Sequence, residues 1–221
     1  MNYISLGPDC HIAGALNLLK LRKEAFPFDF LLSESEKGLE YVSLLVQNNF
    51  VDFLDDLDYN LNFKVISKNY PYTQFIHHNL LKNKQTLVKS LKLDHINMEE
   101  PLIEKFKRRA NRFMNIIVNP QEKCLFFYVL NINNITNNES LKKIIFTIDT
   151  FFETMNKFSK CNYRLIIFVK INVDNFVLIE NIILEINKKY NNLIIFEPFF
   201  GSNNDKDNKL NIERCIEKYN F

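Results

Sequence analysis

A chain of 221 residues, 47% of them hydrophobic, with no internal repeat or linker, suits one domain able to bury a sizeable core. Its 28 basic and 26 acidic residues leave a net charge of +2, too little for the field of the whole molecule to recruit nucleic acid or an anionic membrane, so any partner must be selected locally. The four cysteines, Cys10, Cys124, Cys161 and Cys215, are far apart and follow neither a disulfide framework nor zinc spacing, which points to a reducing compartment. No basic segment followed by an apolar one marks a secretory leader, and no run approaches the roughly 18 apolar residues of a membrane span. The expectation is a cytoplasmic protein with no membrane partner.

The first element is a short strand, Tyr3 to Leu6, broken at Gly7-Pro8 and followed by an apolar-periodic helix from His11 to Leu21. Cys10 stands at the turn between them. Backbone N–H groups at a helix N-terminus lack intrahelical partners and the dipole there is positive, so a sulfur in that place is favoured as the nucleophilic thiolate. The other reading of Cys10 is a small apolar residue packed where helix meets sheet. Arg22 to Phe30 ends in Phe26-Pro27-Phe28-Asp29-Phe30, and the proline makes this an ordered aromatic loop rather than a helix.

Ser33 with Glu36 has the form of a capping box, and Leu39, Val42, Leu45 and Val46 carry a helix to about Asn48. Asp52, Asp55, Asp56 and Asp58 are spaced somewhat like a calcium loop but lack its turning glycine. Leu61 to Ser67 and Tyr72 to His77 alternate as two strands of a hairpin around Asn69-Tyr70-Pro71, the second ending on His77-His78-Asn79. Asn97 with Glu100 is another capping box, with Pro101 in the first turn of a helix striped by Leu102, Phe106, Ala110, Phe113 and Ile117. Its flank carries Lys105, Arg108, Arg109 and Arg112. That row is either a solvated face or a set of guanidiniums suited to holding a carboxylate or other anion.

From Cys124 the pattern becomes regular. Near-continuous apolar runs at 124–130, 164–170 and 193–197 alternate with helical segments at 139–158 and 176–190, and a last helix covers 210–219. Strands alternating with helices predict a parallel sheet buried on both faces, which Tyr3 to Leu6 joins. The fold expected is a single α/β domain over 1–221, three-layered with a mostly parallel, Rossmann-like sheet. Residues 31–120 form a largely helical insertion after the first strand and helix, carrying His77, His78 and the arginine helix. Ligands of such sheets sit beyond the carboxyl ends of the strands, the edge of Cys10, Asn131, Asn133, Asn172 and Phe199 to Ser202. No dinucleotide fingerprint, phosphate loop or Gly-x-Ser-x-Gly is present, and no cofactor or metal is expected.

Four short motifs in order, Ser5-Leu6-Gly7-x-x-Cys10, Pro27-Phe28-Asp29-Phe30, Phe75-Ile76-His77-His78-Asn79 and Phe106 to Phe113, resemble the family catalogued as putative papain-like cysteine peptidases, a domain of unknown function. The family usually has Trp where this chain has Phe30. The resemblance implies Cys10 as nucleophile with a histidine base from His77 or His78; His77 is taken first, since only one of two neighbours on an extended segment can face the site. Asp29 is the first choice to orient the imidazole, with Asn79 and Asp9 as alternatives; otherwise Asp29 is a loop cap or the ion-pair partner of Arg109 or Arg112. Arg108, Arg109, Arg112 and Asn79 are the candidates for holding substrate.

The leading function is thus a cysteine-dependent hydrolase or acyltransferase acting on an amide or ester of a peptide or small molecule. The alternative is a non-catalytic α/β module binding an anion such as a nucleotide, sugar phosphate or carboxylate.

Overall fold

The structure, a computed structural model, describes residues 1–29, 31–51, 53, 56–59, 65–75, 100–132, 138–170, 176–190, 193–202 and 204–219. The elements in chain order are β1 (Asn2–Ser5), α1 (His11–Leu18), β2 (Leu31–Ser33), α2 (Gly38–Gln47), β3 (Leu57–Tyr59), β4 (Val65–Ser67) and β5 (Thr73–Phe75). After these come α3 (Glu100–Ile117), β6 (Lys123–Asn131), α4 (Asn138–Phe158), β7 (Asn162–Lys170), α5 (Phe176–Lys189), β8 (Ile194–Pro198) and α6 (Asp205–Tyr219).

The apolar runs read from the sequence become a four-stranded parallel sheet in the order β1-β6-β7-β8. Every residue of β6 between its two ends is buried, as a parallel strand covered on both faces requires. Side chains alternate across the sheet, and the alternation splits the core in two. Ile4, Phe126, Leu165 and Ile194, matched in register across the four strands, face a cluster built with residues of α2, α3, α4 and α5. Phe127, Ile166 and Phe168 face a second cluster with Ile12, Ala15 and Leu16 of α1 and Ile212 and Cys215 of α6. Phe113 of α3 ties the first cluster to the aromatic loop, with its ring 5.2 Å from Phe28 and 6.2 Å from Phe126.

Consecutive strands therefore send their helices to opposite faces at two places. The helix after β1 lies on one face and the helix after β6 on the other; α5 after β7 and α6 after β8 differ in the same way. Connections that part in this way open a crevice at the carboxyl ends of the two neighbouring strands. The residues after β1 stand at the first such opening, and Lys170 and Phe199 at the second.

The segment 31–120 differs from the expectation of a largely helical insertion. Besides α2 and α3 it holds a second sheet, antiparallel, in the order β2-β5-β4-β3. The hairpin read around Asn69 to Pro71 is β4 and β5, matched at Ile66 and Gln74. Ser33 does not cap a helix: it ends β2 opposite Thr73, its N–H donates to the Pro8 carbonyl at 2.7 Å, and α2 begins only at Gly38. The Asp56 carboxylate is used inside this sheet, accepting from the Ser67 hydroxyl and from the Asn69 N–H at 3.1 Å.

The last helix starts five residues earlier than its apolar periodicity suggested, since Asn204 caps it by accepting the Asp207 N–H at 2.9 Å. Among the described residues no helix is long and apolar enough to cross a membrane.

Candidate active site

The turn from β1 into α1 is fixed from both sides. Leu6 continues the parallel ladder by donating to the Phe127 carbonyl at 3.0 Å, and Pro8 is held by the Ser33 N–H. Between them Gly7 has φ +90, a conformation that L side chains rarely adopt. The buried Asp9 then bends back to cap the helix, its Oδ1 accepting the His11 N–H at 2.9 Å. Cys10 is the half-buried N-cap residue of α1, and its side chain makes no capping bond.

These contacts reverse the electrostatics expected of Cys10. Burial pushes the thiol above its usual value, the Asp9 and Asp205 carboxylates push it further, and a backbone hydrogen bond opposes them only partly. The positive helix end is real, but Asp9 has already taken up part of it.

The next residue, His11, is the histidine that sequence reasoning overlooked. Its Nδ1 lies 2.8 Å from Oδ1 of Asp205, the first residue of α6. A carboxylate can only accept, so Nδ1 carries the proton and Nε2 of the neutral ring is left as an acceptor. Gly14, one turn along α1, makes room for the pair: a Cβ there would run into the Asp205 carboxylate. Nothing in local spacing joins two residues 194 positions apart; the available signal was the proximity of a histidine to Cys10.

Lys170 closes the same edge. Its ammonium sits 4.6 Å from the centre of the Phe199 ring, and burial lowers its pKa while Asp9 pulls it back up. Asn131 is exposed and exchanges hydrogen bonds with the Ser35 hydroxyl. Beyond Phe199, Ser202 donates from its N–H and its hydroxyl to Asp207 at 2.7 and 2.9 Å, holding that carboxyl below the usual range. Asn133 and Asn172 lie outside the described residues.

Asp29 is 1% exposed, and its Oδ2 accepts from Arg22 Nε at 3.0 Å, Arg22 Nη2 at 2.6 Å and the Phe26 N–H at 2.8 Å. It is the cap and ion-pair partner of the aromatic loop, but the bound guanidinium is that of Arg22, not of Arg109 or Arg112. Burial pushes the Asp29 carboxyl up, against the pull of Arg22, of the Phe26 N–H and of the more distant Arg109. Arg109 is buried with its guanidinium over the Phe106 ring. Arg112 donates to the Ala25 carbonyl at 2.7 Å and pairs with Glu24 at 2.9 Å. Arg108 is exposed. The arginine helix thus grips segment 22–29 from one side while Arg22 holds it from within. His77, His78 and Asn79 lie outside the described residues.

What the described edge offers chemically is a half-buried protonated thiol at the N-cap of α1, followed in the chain by a carboxylate-bound imidazole, beyond the carboxyl end of β1. A family model described as "Putative papain-like cysteine peptidase (DUF1796)" matches residues 1–170. No curated protein and no solved structure matches the chain.

Two outcomes follow from this geometry. In pH-dependent alkylation of the folded protein, the Cys10 midpoint lies above that of an ordinary free thiol; Asp9→Asn and, by less, Asp205→Asn bring it down, because each removes a negative charge that opposes the thiolate. In urea unfolding, Arg22→Met costs about 3–5 kcal/mol by leaving a buried carboxylate without its partner, and adding Asp29→Asn recovers part of that loss.

Proposed function

The chain belongs to this family of putative papain-like cysteine peptidases, and we propose that it is a cysteine-dependent hydrolase cleaving an amide or ester of a peptide or small molecule. The observation that carries the reading is Cys10 itself: a half-buried thiol at the head of α1, beyond the carboxyl end of β1, with an imidazole next to it in the chain. Cys10 attacks the substrate carbonyl. Because its thiol is held protonated, the proton leaves during the attack, as with a serine hydroxyl, and a histidine must be in reach to take it. First-turn N–H groups of α1 other than that of His11, which Asp9 takes, stabilise the oxyanion. The histidine then returns the proton to the leaving group.

Two assignments of the base are carried. The family motif supports His77, or His78 beside it; with Oδ2 of Asp29 committed to Arg22 and Phe26, an orienting bond from Asp29 would have to use Oδ1. The contact of His11 with Asp205 supports the other, in which Asp205 fixes the ring and Nε2 accepts the proton. The anion-binding module is the weaker reading, since Arg109 and Arg112 are engaged by the protein itself, which leaves Arg108 and Asn79 for substrate.

The three-layer, Rossmann-like description of the sheet belongs to the same proposal, supported by apolar clusters on its two faces. So does a cytoplasmic setting, supported by four free thiols.

Turnover of a panel of activated esters and aminoacyl amides tests the mechanism. Cys10→Ala abolishes it, and one of His77→Ala, His78→Ala or His11→Ala lowers kcat/KM by about 10²–10⁴-fold, the usual worth of a general base. Asp205→Asn follows His11→Ala if His11 is that base and otherwise does not lower kcat/KM to that extent. Turnover that survives Cys10→Ala overturns the reading.

A further inference from the structure

At the amino end of the parallel sheet, the end away from Cys10, two more cysteines meet. Cys124 is the second residue of β6 and Cys161 immediately precedes β7; their sulfurs are 3.6 Å apart and in hydrogen-bonding contact. Ser159 places its hydroxyl 3.3 Å from the Cys161 sulfur. The turn that carries Cys161 is strapped to the end of α3: the N–H groups of Lys160 and Cys161 and the Ser159 hydroxyl all donate to the Ile117 carbonyl. Cys161 is therefore presented by a turn and Cys124 by the start of an inner strand, so closing the pair asks a shift of the turn on its bonds to Ile117 rather than of the strand. Bonded sulfurs lie about 2.0 Å apart, which leaves an approach of about 1.6 Å.

We propose that Cys124 and Cys161 are a redox dithiol that closes to an internal disulfide on reaction with a small hydroperoxide. The two thiols are not equivalent. In the reduced pair the Cys161 thiol donates to the Cys124 sulfur; once Cys161 has lost its proton the Cys124 thiol and the Ser159 hydroxyl can donate to it in turn, which lowers the Cys161 pKa, while that of Cys124 is pushed up by the same contact and by burial. Cys161 at 7% and Cys124 at 3% exposure admit an oxidant little larger than water in preference to a bulky one. The Cys161 thiolate attacks the peroxide and expels hydroxide, giving a sulfenic acid. The Cys124 sulfur then displaces water from that sulfenic sulfur, losing its proton, and the S–S bond forms. In sum two thiols and one hydrogen peroxide give one disulfide and two waters.

A dithiol would restore the pair. The proposal does not depend on Cys10 being catalytic.

Peroxide treatment of the folded chain, followed by alkylation in denaturant and peptide mapping, tests it. The expected result is a disulfide joining the Cys124 and Cys161 peptides, with Cys10 and Cys215 alkylated. Dithiothreitol should restore both thiols, and Cys161→Ser should leave Cys124 alkylatable after the same treatment. Cys124 and Cys161 both alkylated, Cys161 carried on to sulfinic acid, or either one joined to Cys10 instead, would overturn it. The mapping on the unsubstituted protein decides the matter even if the variant does not fold.

Discussion

Burial of β6 on both faces is the constraint from which the rest of the structure follows. A strand with apolar side chains on alternate faces must be covered twice, and Phe126 and Tyr128 on one side and Phe127 and Val129 on the other demand different partners. The chain meets that demand by sending the helix after β1 to one face and the helix after β6 to the other. The parting of these helices at the carboxyl ends of β1 and β6 is a by-product of covering a hydrophobic strand, and it is where the turn carrying Cys10 lies.

The same turn shows how local charge can override a general rule. A helix N-terminus favours a thiolate, but Asp9 takes the His11 N–H and adds a negative charge of its own, with Asp205 contributing from α6. A buried carboxylate at this place stabilises the turn and costs the sulfur its ready ionisation. The chemistry consistent with this arrangement is attack concerted with proton removal, which makes the choice of histidine the decisive feature of the site rather than an accessory to it.

Much of the sheet was legible in the sequence, because long apolar runs of strand length alternating with helical periodicity have few other solutions. The turn residues and the aromatic loop could be read because proline restricts the backbone wherever it occurs and glycine admits turns that other residues avoid. Ser33 misled because a capping box is a local pattern, and its pairing with Thr73 across a sheet is not. The ion pair of Asp29 was foreseen in kind but given to the wrong arginine, since Arg22 competes from within the loop and Arg112 finds Glu24 and the Ala25 carbonyl instead. The contacts of His11 with Asp205 and of Cys124 with Cys161 join residues distant in sequence. Only the packing of α6 on α1, and of β6 beside β7, brings them together.

The central claim is that Cys10 is a nucleophile that becomes covalently attached to substrate. Acid quenching of a rapidly mixed reaction with an activated ester, followed by intact-mass measurement and peptide mapping, tests this directly. The account predicts an acyl adduct on the peptide that holds Cys10, formed in the first turnover and lost as product accumulates. Substrate turned over with no adduct, or with the acyl group on Cys124, Cys161 or Cys215 instead, would contradict it.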